Sequence, residues 1–345
     1  MIDIASEVIS DELIKILILG GLGLLLATFL TPIYTYFAYK YKFWKKQRQD
    51  DVSGAELKVF SKLHAEKHKR NIPTMAGLIF VLAISIVTLC LNLNQSQTWL
   101  PLAALVCGAA VGLIDDIINL VTDGTGRAGM RPWVKFSLIT LAGVVFGWWF
   151  YTKLGVSSIE VPFVGEWHIG AFIIPLFAFI VVATGNAVNI TDGLDGLAGG
   201  LLMASFGAFG VIALLQGSFG IAGFCFTVIG TLLSYLWFNI FPARFFMGDI
   251  GSFALGVSLG VVAMLTDSLF LLPIIGGLFV IEAGSSLLQI ICKKFFGRRI
   301  FKSAPVHHHL EASGWPEVKI TMRFWIIGGV LAVAGLVLAL EGGII

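Results

Sequence analysis

Four short polar segments of this sequence carry side chains that bind metal ions or phosphates in other proteins. The longest is the glycine-rich run NAVNITDGLDGLAGG, which contains Asn186, Asn189, Asp192 and Asp195. The other three are Asp115-Asp116, FMGDIGS around Asp249, and PVHHHLE at 305–311. Oxygen ligands of this kind suit Mg²⁺, which usually combines a few carboxylates with water and phosphate oxygens. The pattern predicts a metal-dependent active site; an Asx-rich turn is the simpler alternative for the longest segment.

The neighbouring carboxylates of Asp115 and Asp116 follow a long apolar run. Adjacent negative charges repel each other unless a cation or hydrogen bonds offset the repulsion. A solvated helix end is the alternative, but the C-terminus of a helix is the unfavourable end for negative charge. We therefore favour a carboxylate pair that binds a ligand.

Asp249 is flanked by glycines at the start of an apolar run. Asp is a good N-cap residue, so capping is the stronger interpretation for this segment taken alone. Glycines let a ligand approach the backbone, and helix N-termini favour phosphate, so a ligand-binding role stays open. Phe246, three residues earlier, is either an aromatic face for a base or a core residue.

His307, His308 and His309 are consecutive and are followed by Glu311. Neighbouring side chains of a helix or strand point in different directions, so three consecutive histidines cannot all bind one metal ion. We expect a loop that donates hydrogen bonds to phosphate or supplies a base, with an idle polar loop as the alternative. Glu282 lies within an apolar run, where an ionisable residue is either functional or paired with a polar partner in the bundle.

The composition is that of an integral membrane protein. Of 345 residues, 57% are hydrophobic and only 13% are charged, with a mean hydropathy of +0.91. Soluble domains average about 25% charged residues. No alternating pattern runs through the chain, which disfavours a β-barrel. The four cysteines lie singly in apolar runs, so zinc sites and structural disulfides are disfavoured as well.

A transmembrane helix needs about 20 mostly apolar residues. Ten segments qualify: 13–38, 74–93, 99–117, 133–152, 169–187, 197–215, 219–238, 250–266, 269–292 and 323–341. Pro273, Gly276 and Gly277 predict a kink in the ninth. Alternating residues around Val164-Gly165 predict a small β-hairpin at 157–168, outside the membrane. The predicted fold is an all-α polytopic membrane protein, with residues 1–345 forming a single integral membrane domain.

Lysine and arginine indicate the orientation, because cytoplasmic loops carry an excess of both. Of the 23 in the chain, all but Lys15 and Lys153 fall on the side reached after odd-numbered spans. This distribution predicts that both termini face outward and that all four polar segments face the cytoplasm. A transporter more often has its charged site near the midplane between repeated halves, and no internal repeat is visible.

Together, NAVNITDGLDGLAGG, Asp115-Asp116, FMGDIGSFALG and APVHHHLE resemble one enzyme family in type and order. They resemble the polyprenyl-phosphate N-acetylhexosamine-1-phosphate transferases, and the histidine triplet before Leu-Glu favours the phospho-N-acetylmuramoyl-pentapeptide transferase branch. The resemblance covers nearly the whole chain and implies a multi-pass protein of the bacterial inner (cytoplasmic) membrane. The chain departs from the family pattern at Ala76, usually glycine, and at Ile250, usually threonine.

This resemblance implies a Mg²⁺-dependent reaction between UDP-MurNAc-pentapeptide and undecaprenyl phosphate, which yields lipid I and UMP for peptidoglycan synthesis. The sibling transferase would use UDP-GlcNAc instead, and a membrane transporter or flippase would release no UMP. Both direct attack and a two-step route through an aspartate remain open, and we favour direct attack because a phosphate is already a competent nucleophile. The oligomeric state also stays open, with a homodimer as one of the options.

The resemblance also implies roles for individual residues. The catalytic set is Asp115, Asp116, Asp249 and His307, with Asp249 as the Mg²⁺ ligand. The substrate-binding set is Lys69, Thr74, Lys135, Asn186, Asn189, Asp192, Asp195, Asn239, Phe246, His308 and His309. Within this set, Phe246 is expected to stack on uracil and Asn239 to lie beside the nucleoside.

Overall fold

The computed structural model describes residues 2–44, 71–122 and 129–345, with side chains from residue 10 onward. Helices dominate this part of the chain. They are α1 Ile2–Lys40, α2 Gly77–Leu91, α3 Trp99–Val121, α4 Pro132–Lys153, α5 Ile173–Thr191, α6 Leu197–Leu215, α7 Phe219–Asn239, α8 Gly248–Leu265, α9 Leu272–Ile275, α10 Gly277–Phe296, α11 Val306–Ala312 and α12 Glu317–Glu341. A 3₁₀ turn, Gly170–Phe172, precedes α5.

Within the described ranges, eight helices are long and apolar enough to cross a membrane. They are α1 (from Ser10), α3, α4, α5, α6, α7, α8 and α12. The other two predicted spans correspond to α2, an apolar helix of 15 residues, and to the pair α9 and α10. The polytopic all-α fold predicted from composition is therefore confirmed.

Two boundaries are informative. Helix α9 ends at Ile275 and α10 begins at Gly277, so the predicted kink in the ninth span is a break at Gly276. Helix α3 continues to Val121, past the predicted end at residue 117. Asp115 and Asp116 therefore lie inside the helix rather than at its end, and the solvated-end interpretation is wrong: both are buried.

The predicted hairpin is also present. Strands β1, Ser158–Val161, and β2, Gly165–His168, pair antiparallel, with Ser158 opposite His168 and Val161 opposite Gly165. Gly165 has a φ of +99°, a backbone conformation that glycine adopts without strain. The side chain of Asp267 accepts a hydrogen bond from the backbone N–H of Glu160 at 3.0 Å, which ties the hairpin to the segment after α8.

Helix α8 is the centre of the bundle. Sixteen of its 18 residues are buried, and it packs against α2, α3, α5 and α6. Small residues make this close packing feasible: a Cβ on Gly112 of α3 would overlap the backbone carbonyl of Asp249. A Cβ on Gly77 of α2 would likewise overlap the backbone of Gly251. The glycines therefore let three helices approach at the end of α8 that carries Asp249.

Candidate active site

Three charged side chains from three helices meet at the N-terminal end of α8. The Lys135 ammonium from α4 lies 2.6 Å from Oδ2 of Asp249 and 3.1 Å from Oδ2 of Asp115. It also lies 4.9 Å from the ring centroid of Phe253, in cation–π geometry. The side chains of Lys135 and Asp249 are 16% and 17% exposed, so this cluster is largely shielded from solvent but not sealed.

Asp115 is held by further donors. Its Oδ1 accepts a hydrogen bond from the backbone N–H of Met130 at 2.7 Å, and its Oδ2 accepts one from the Asn119 amide at 3.0 Å. Asn119 is a site residue that the sequence analysis missed. Its position one helical turn after Asp115 was the available signal, because residues four apart share a helix face.

Asp116 and Asn189 fix the first turn of α8. Oδ2 of Asp116, a fully buried side chain, accepts the backbone N–H of Ile250 at 3.1 Å. The Asn189 amide donates to the hydroxyl of Ser252 at 2.8 Å. Asp249 itself lies in the first turn, after the N-cap residue Met247, so the N-cap interpretation of Asp249 is wrong.

The turn between α5 and α6 is tied to the loop before α8. Asp195, 1% exposed, accepts the backbone N–H of Ala243 at 3.0 Å. Asn239, 3% exposed, accepts the N–H of Gly196 at 2.9 Å and donates to the Phe245 carbonyl at 2.8 Å. In this structure both side chains hold the backbone of the site in place.

Phe245 and Phe246 are neighbours with different surroundings. Phe245 is buried in a ring cluster, with its centroid 5.6 Å from Tyr34 and 5.6 Å from Phe238. Phe246 is only partly buried, and its backbone N–H and carbonyl bond to Pro73 and Ala76. Phe246 therefore differs from Phe245 in keeping part of its side chain accessible, on a backbone that is held at both its N–H and its carbonyl.

The remaining predicted residues divide between the site and its supports. The carbonyl of Thr74, a buried residue, accepts the Tyr34 hydroxyl, and Thr74 lies beside Gly248, next to Asp116. The Asn186 amide donates to the carbonyl of Val182 within α5. Asp192 is the partly buried C-cap of α5. Lys69 lies outside the described residues.

The histidines form a short helix, α11, where the sequence analysis expected a loop. A carboxylate one turn later explains this difference: Nδ1 of His308 lies 2.7 Å from Oε2 of Glu311, a pair that helical spacing allows. Burial lowers the pKa of His308, and the hydrogen bond to Glu311 partly opposes this effect. His309 accepts the N–H of Lys302 at 3.1 Å and packs its ring edge-to-face on Phe301.

His307 is fully buried and pairs with a residue from another helix. Its Nδ1 lies 2.7 Å from Oε2 of Glu282, which is also fully buried in α10. Its ring lies against Gly193, in the turn after α5. The polar-partner interpretation of Glu282 is therefore confirmed, and α11 joins the rest of the site through this contact.

The carboxylate cluster has the donors for a divalent cation. Oxygens of Asp115 and Asp249 already converge on one cation, the Lys135 ammonium, and hard oxygen donors suit Mg²⁺. Within the described residues, no group of three or more His, Cys, Asp and Glu side chains has the geometry of a protein-only metal site. An ion held here would complete its shell with water and substrate phosphates, as Mg²⁺ commonly does.

Similarity to named proteins identifies the family of this chain. It is 37% identical to the phospho-N-acetylmuramoyl-pentapeptide-transferase of Chloroflexus aggregans, over 99% of this chain and 94% of that protein. The enzymes of the same name from Bacillus mycoides and Levilactobacillus brevis are 35% and 40% identical, over 93% and 77% of this chain and 97% and 84% of those proteins. This chain belongs to the phospho-N-acetylmuramoyl-pentapeptide transferase family. The profile of Glycosyl transferase family 4 also matches residues 98–267.

Membership of the transferase family gives the departure at Ile250 a simple explanation. The hydrogen bond to Asp116 comes from the backbone N–H of Ile250, which every residue except proline supplies. The Ile250 side chain is 1% exposed and packs in the core. This transferase can therefore replace the usual threonine without losing the contact that fixes Asp249.

Proposed function

We propose that this membrane transferase moves phospho-N-acetylmuramoyl-pentapeptide from UDP-MurNAc-pentapeptide to undecaprenyl phosphate, forming lipid I and UMP. The names of its full-length relatives support this substrate pair. The observation that carries the chemistry is the convergence of Asp115 and Asp249 on one cation at the end of the central helix. Transfer from a diphosphate substrate requires a bound cation, because negative charge develops on the leaving phosphate as the bond breaks.

The residues of the cluster have different roles in this proposal. Asp249 would hold Mg²⁺ together with Asp115, and Asp116 would keep the first turn of α8 in place through Ile250. A Mg²⁺ ion held by these carboxylates would supply positive charge to offset the negative charge of the diphosphate. Lys135 would turn its ammonium from the carboxylates to the phosphates, a movement that its long side chain permits. Phe246 would stack on uracil.

We infer direct attack by the lipid phosphate. One of its oxygens forms a bond to the sugar-bearing phosphorus, and the bond from that phosphorus to the bridging oxygen breaks. UMP leaves with the bridging oxygen and its electron pair. Asp115 accepts bonds from Met130, Asn119 and Lys135, and Asp116 accepts one from Ile250. These contacts favour roles in positioning over a role as the attacking group.

The membrane setting suits one soluble and one lipid substrate. The lysine and arginine distribution supports a site that faces the cytoplasm in a bacterial inner membrane, within a single integral membrane domain. A homodimer stays a prediction, which the mass of the purified protein in detergent would test.

The direct test is release of UMP by the purified protein with undecaprenyl phosphate and Mg²⁺. We expect release with UDP-MurNAc-pentapeptide and none above background with UDP-GlcNAc. Omission of undecaprenyl phosphate is the control, because direct transfer requires the acceptor. Release with UDP-GlcNAc alone would identify the sibling transferase, and transport of either substrate without UMP would overturn the proposal.

A further inference from the structure

Glu282 and His307 form a buried pair that is separate from the cluster of Asp115, Lys135 and Asp249. Both side chains are fully buried. Oε2 of Glu282 lies 2.7 Å from Nδ1 of His307, and Oε1 accepts the backbone N–H of the same residue at 3.2 Å. The Glu282 carboxylate therefore contacts both the ring and the backbone of His307. These two contacts fix the first turn of α11 and the orientation of the imidazole.

This contact also determines where the ring carries its proton. An ionised carboxylate only accepts hydrogen bonds, so in a pair with ionised Glu282 the donor is Nδ1–H of His307. The other ring nitrogen, Nε2, is then left to interact elsewhere. It is buried and has no hydrogen-bond partner among residues 2–44, 71–122 and 129–345. Buried polar atoms without partners are uncommon, and a ligand-binding or catalytic role is one of the explanations for them.

The free nitrogen points toward the candidate site. A Cβ added to Gly193 would overlap Nε2 of His307, so this nitrogen touches the turn between Asp192 and Asp195. Gly193 needs no left-handed backbone conformation, so its small size alone explains the close approach. The His308 ring packs against the His307 ring, with the two centroids 4.1 Å apart.

The pair is suited to an anionic ligand. When Nε2 also carries a proton, the imidazolium and the Glu282 carboxylate together have no net charge. A donor directed at a phosphate oxygen can therefore form inside the protein without an uncompensated buried charge, which would be costly. A histidine without this carboxylate would lose both its orientation and its charge balance.

We propose that Glu282 is a positioning residue for the transfer reaction: it orients His307 so that Nε2 donates to a phosphate oxygen of the UDP-sugar above the Asp192–Asp195 turn. This inference rests on the proposed function. Glutamine at position 282 cannot reproduce both contacts, because its NH₂ group would replace one of the two carboxylate oxygens and would face a donor, either the ring N–H or the backbone N–H.

The experiment uses the full-length protein in nanodiscs, with Glu282→Gln, Glu282→Asp, His307→Asn and the double variant Glu282→Gln/His307→Asn. We expect Glu282→Gln to lower kcat for UMP release by about 10–100-fold, by analogy with the loss seen when the partner that orients a metal-binding histidine is removed. Glu282→Asp should recover part of this loss. The double variant should be no slower than the single variant His307→Asn, because the two substitutions remove the same function and their effects should not add.

Nitrogen-15 NMR of histidine-labelled protein gives a readout that does not depend on activity. The His307 signals are those that His307→Asn lacks; they should show a protonated Nδ1 in the wild type and a changed pattern in Glu282→Gln. Ser285→Ala is the matched control: its hydroxyl bonds to the backbone carbonyl of Glu282, so it perturbs the same turn and leaves the carboxylate intact. This control should keep wild-type kcat.

Three results would overturn the positioning role: a Glu282→Gln kcat within twofold of wild type, additive losses in the double variant, or unchanged His307 signals. The proposed function can fail separately. If the wild type released no UMP from UDP-MurNAc-pentapeptide, the choice of substrate would be wrong, while the NMR comparison would still test whether Glu282 orients His307.

Discussion

The ammonium of Lys135 lies 2.6 Å from a carboxylate oxygen of Asp249, although 114 residues separate them in the sequence. The same ammonium lies 3.1 Å from Asp115, so a single cation from α4 joins the two helices that carry the carboxylates. Without a cation at this position, two largely buried negative charges would face each other. The lysine therefore keeps the site assembled whenever no other cation is bound.

Lys135→Met should make stability depend on Mg²⁺. We expect a loss of about 3 kcal/mol in EDTA, near the lower end for breaking a buried ion pair, and recovery of part of it with millimolar Mg²⁺. Thermal unfolding in nanodiscs with and without Mg²⁺ measures both effects. Lys153→Met, at the exposed far end of the same helix, is the control. Equal Mg²⁺ responses in wild type and Lys135→Met would show that the carboxylates do not bind the metal.

Asp249→Asn added to Lys135→Met should abolish that Mg²⁺ response, because it removes the charge that the ion would meet. The single change Asp249→Ala should abolish UMP release while the protein still purifies folded. Near-normal turnover of Asp249→Ala at limiting Mg²⁺ would contradict the assigned role of this carboxylate.

Phe246→Ala and Phe245→Ala should separate binding from folding. Stacking of a base on an aromatic ring is worth about 1–3 kcal/mol in nucleic-acid sites, so we expect Phe246→Ala to raise KM for the UDP-sugar by about 5–150-fold. Phe245→Ala empties a packed position and should cost about 3–5 kcal/mol of stability. Kinetics and thermal unfolding of the two variants distinguish these effects. An unchanged KM in Phe246→Ala would indicate that Phe246 only packs.

Gly112→Ala should push α3 and α8 apart, since its methyl group would overlap the Asp249 backbone. Overpacking of this kind costs about 1–3 kcal/mol, and here it also displaces the carboxylate, so we expect UMP release to fall with stability. Gly329→Ala is the matched control, because a Cβ there meets nothing within 4 Å. If Gly112→Ala kept both properties at the level of Gly329→Ala, the close helix contact would be wrong.

Burial lowers the pKa of His308 below its ordinary value of 6.5, so the unfolded chain takes up a proton before the folded one does. Stability should therefore fall as the pH drops below about 6.5, since the unfolded state binds more protons there. We expect the unfolding midpoint of the wild type to decrease more between pH 7.5 and 5.5 than that of His308→Gln. The same decrease in both proteins would exclude His308 as the cause.

Single cysteines test the orientation on which the cytoplasmic site depends. In a Cys90→Ala background, which removes the exposed native thiol, Arg298→Cys should react with impermeant reagents only from the cytoplasm. Glu166→Cys, in the hairpin, should react only from outside. Both positions are exposed, so accessibility is matched. Labelling of both from the same side would contradict the ten-span topology.

The spans were predictable because apolar length and composition act locally. Helix α6 begins and ends at the predicted residues, 197 and 215, since glycine-rich turns bound a continuous apolar run there. The end of α3 was placed four residues too early. Buried Asp115 and Asp116 look like a boundary in sequence, while in the structure they face protein rather than solvent.

Hydrogen bonds between residues far apart in the chain could not be predicted from the sequence. The motif around Asp195 and Asn239 indicates polar chemistry, but not that both side chains hold backbone N–H groups of distant segments. Glu317 gives no signal either, although it accepts the N–H of Asp195 at 2.6 Å. Such pairings depend on how whole helices pack, which no local pattern encodes. The pairing of Glu282 with His307 belongs to the same class.

Because α8 is enclosed by its neighbours, assembly of the candidate site depends on completion of the helix bundle. A helix with 16 of 18 residues buried cannot reach its final surroundings until its neighbours have been inserted and have docked around it. Before docking, Asp115, Asp116, Lys135 and Asp249 would lie in lipid as separate, costly charges. Docking brings these opposite charges together, so the step that completes the fold also creates the site. A chain arrested before this step would lack the assembled site and would leave these charged side chains in contact with lipid.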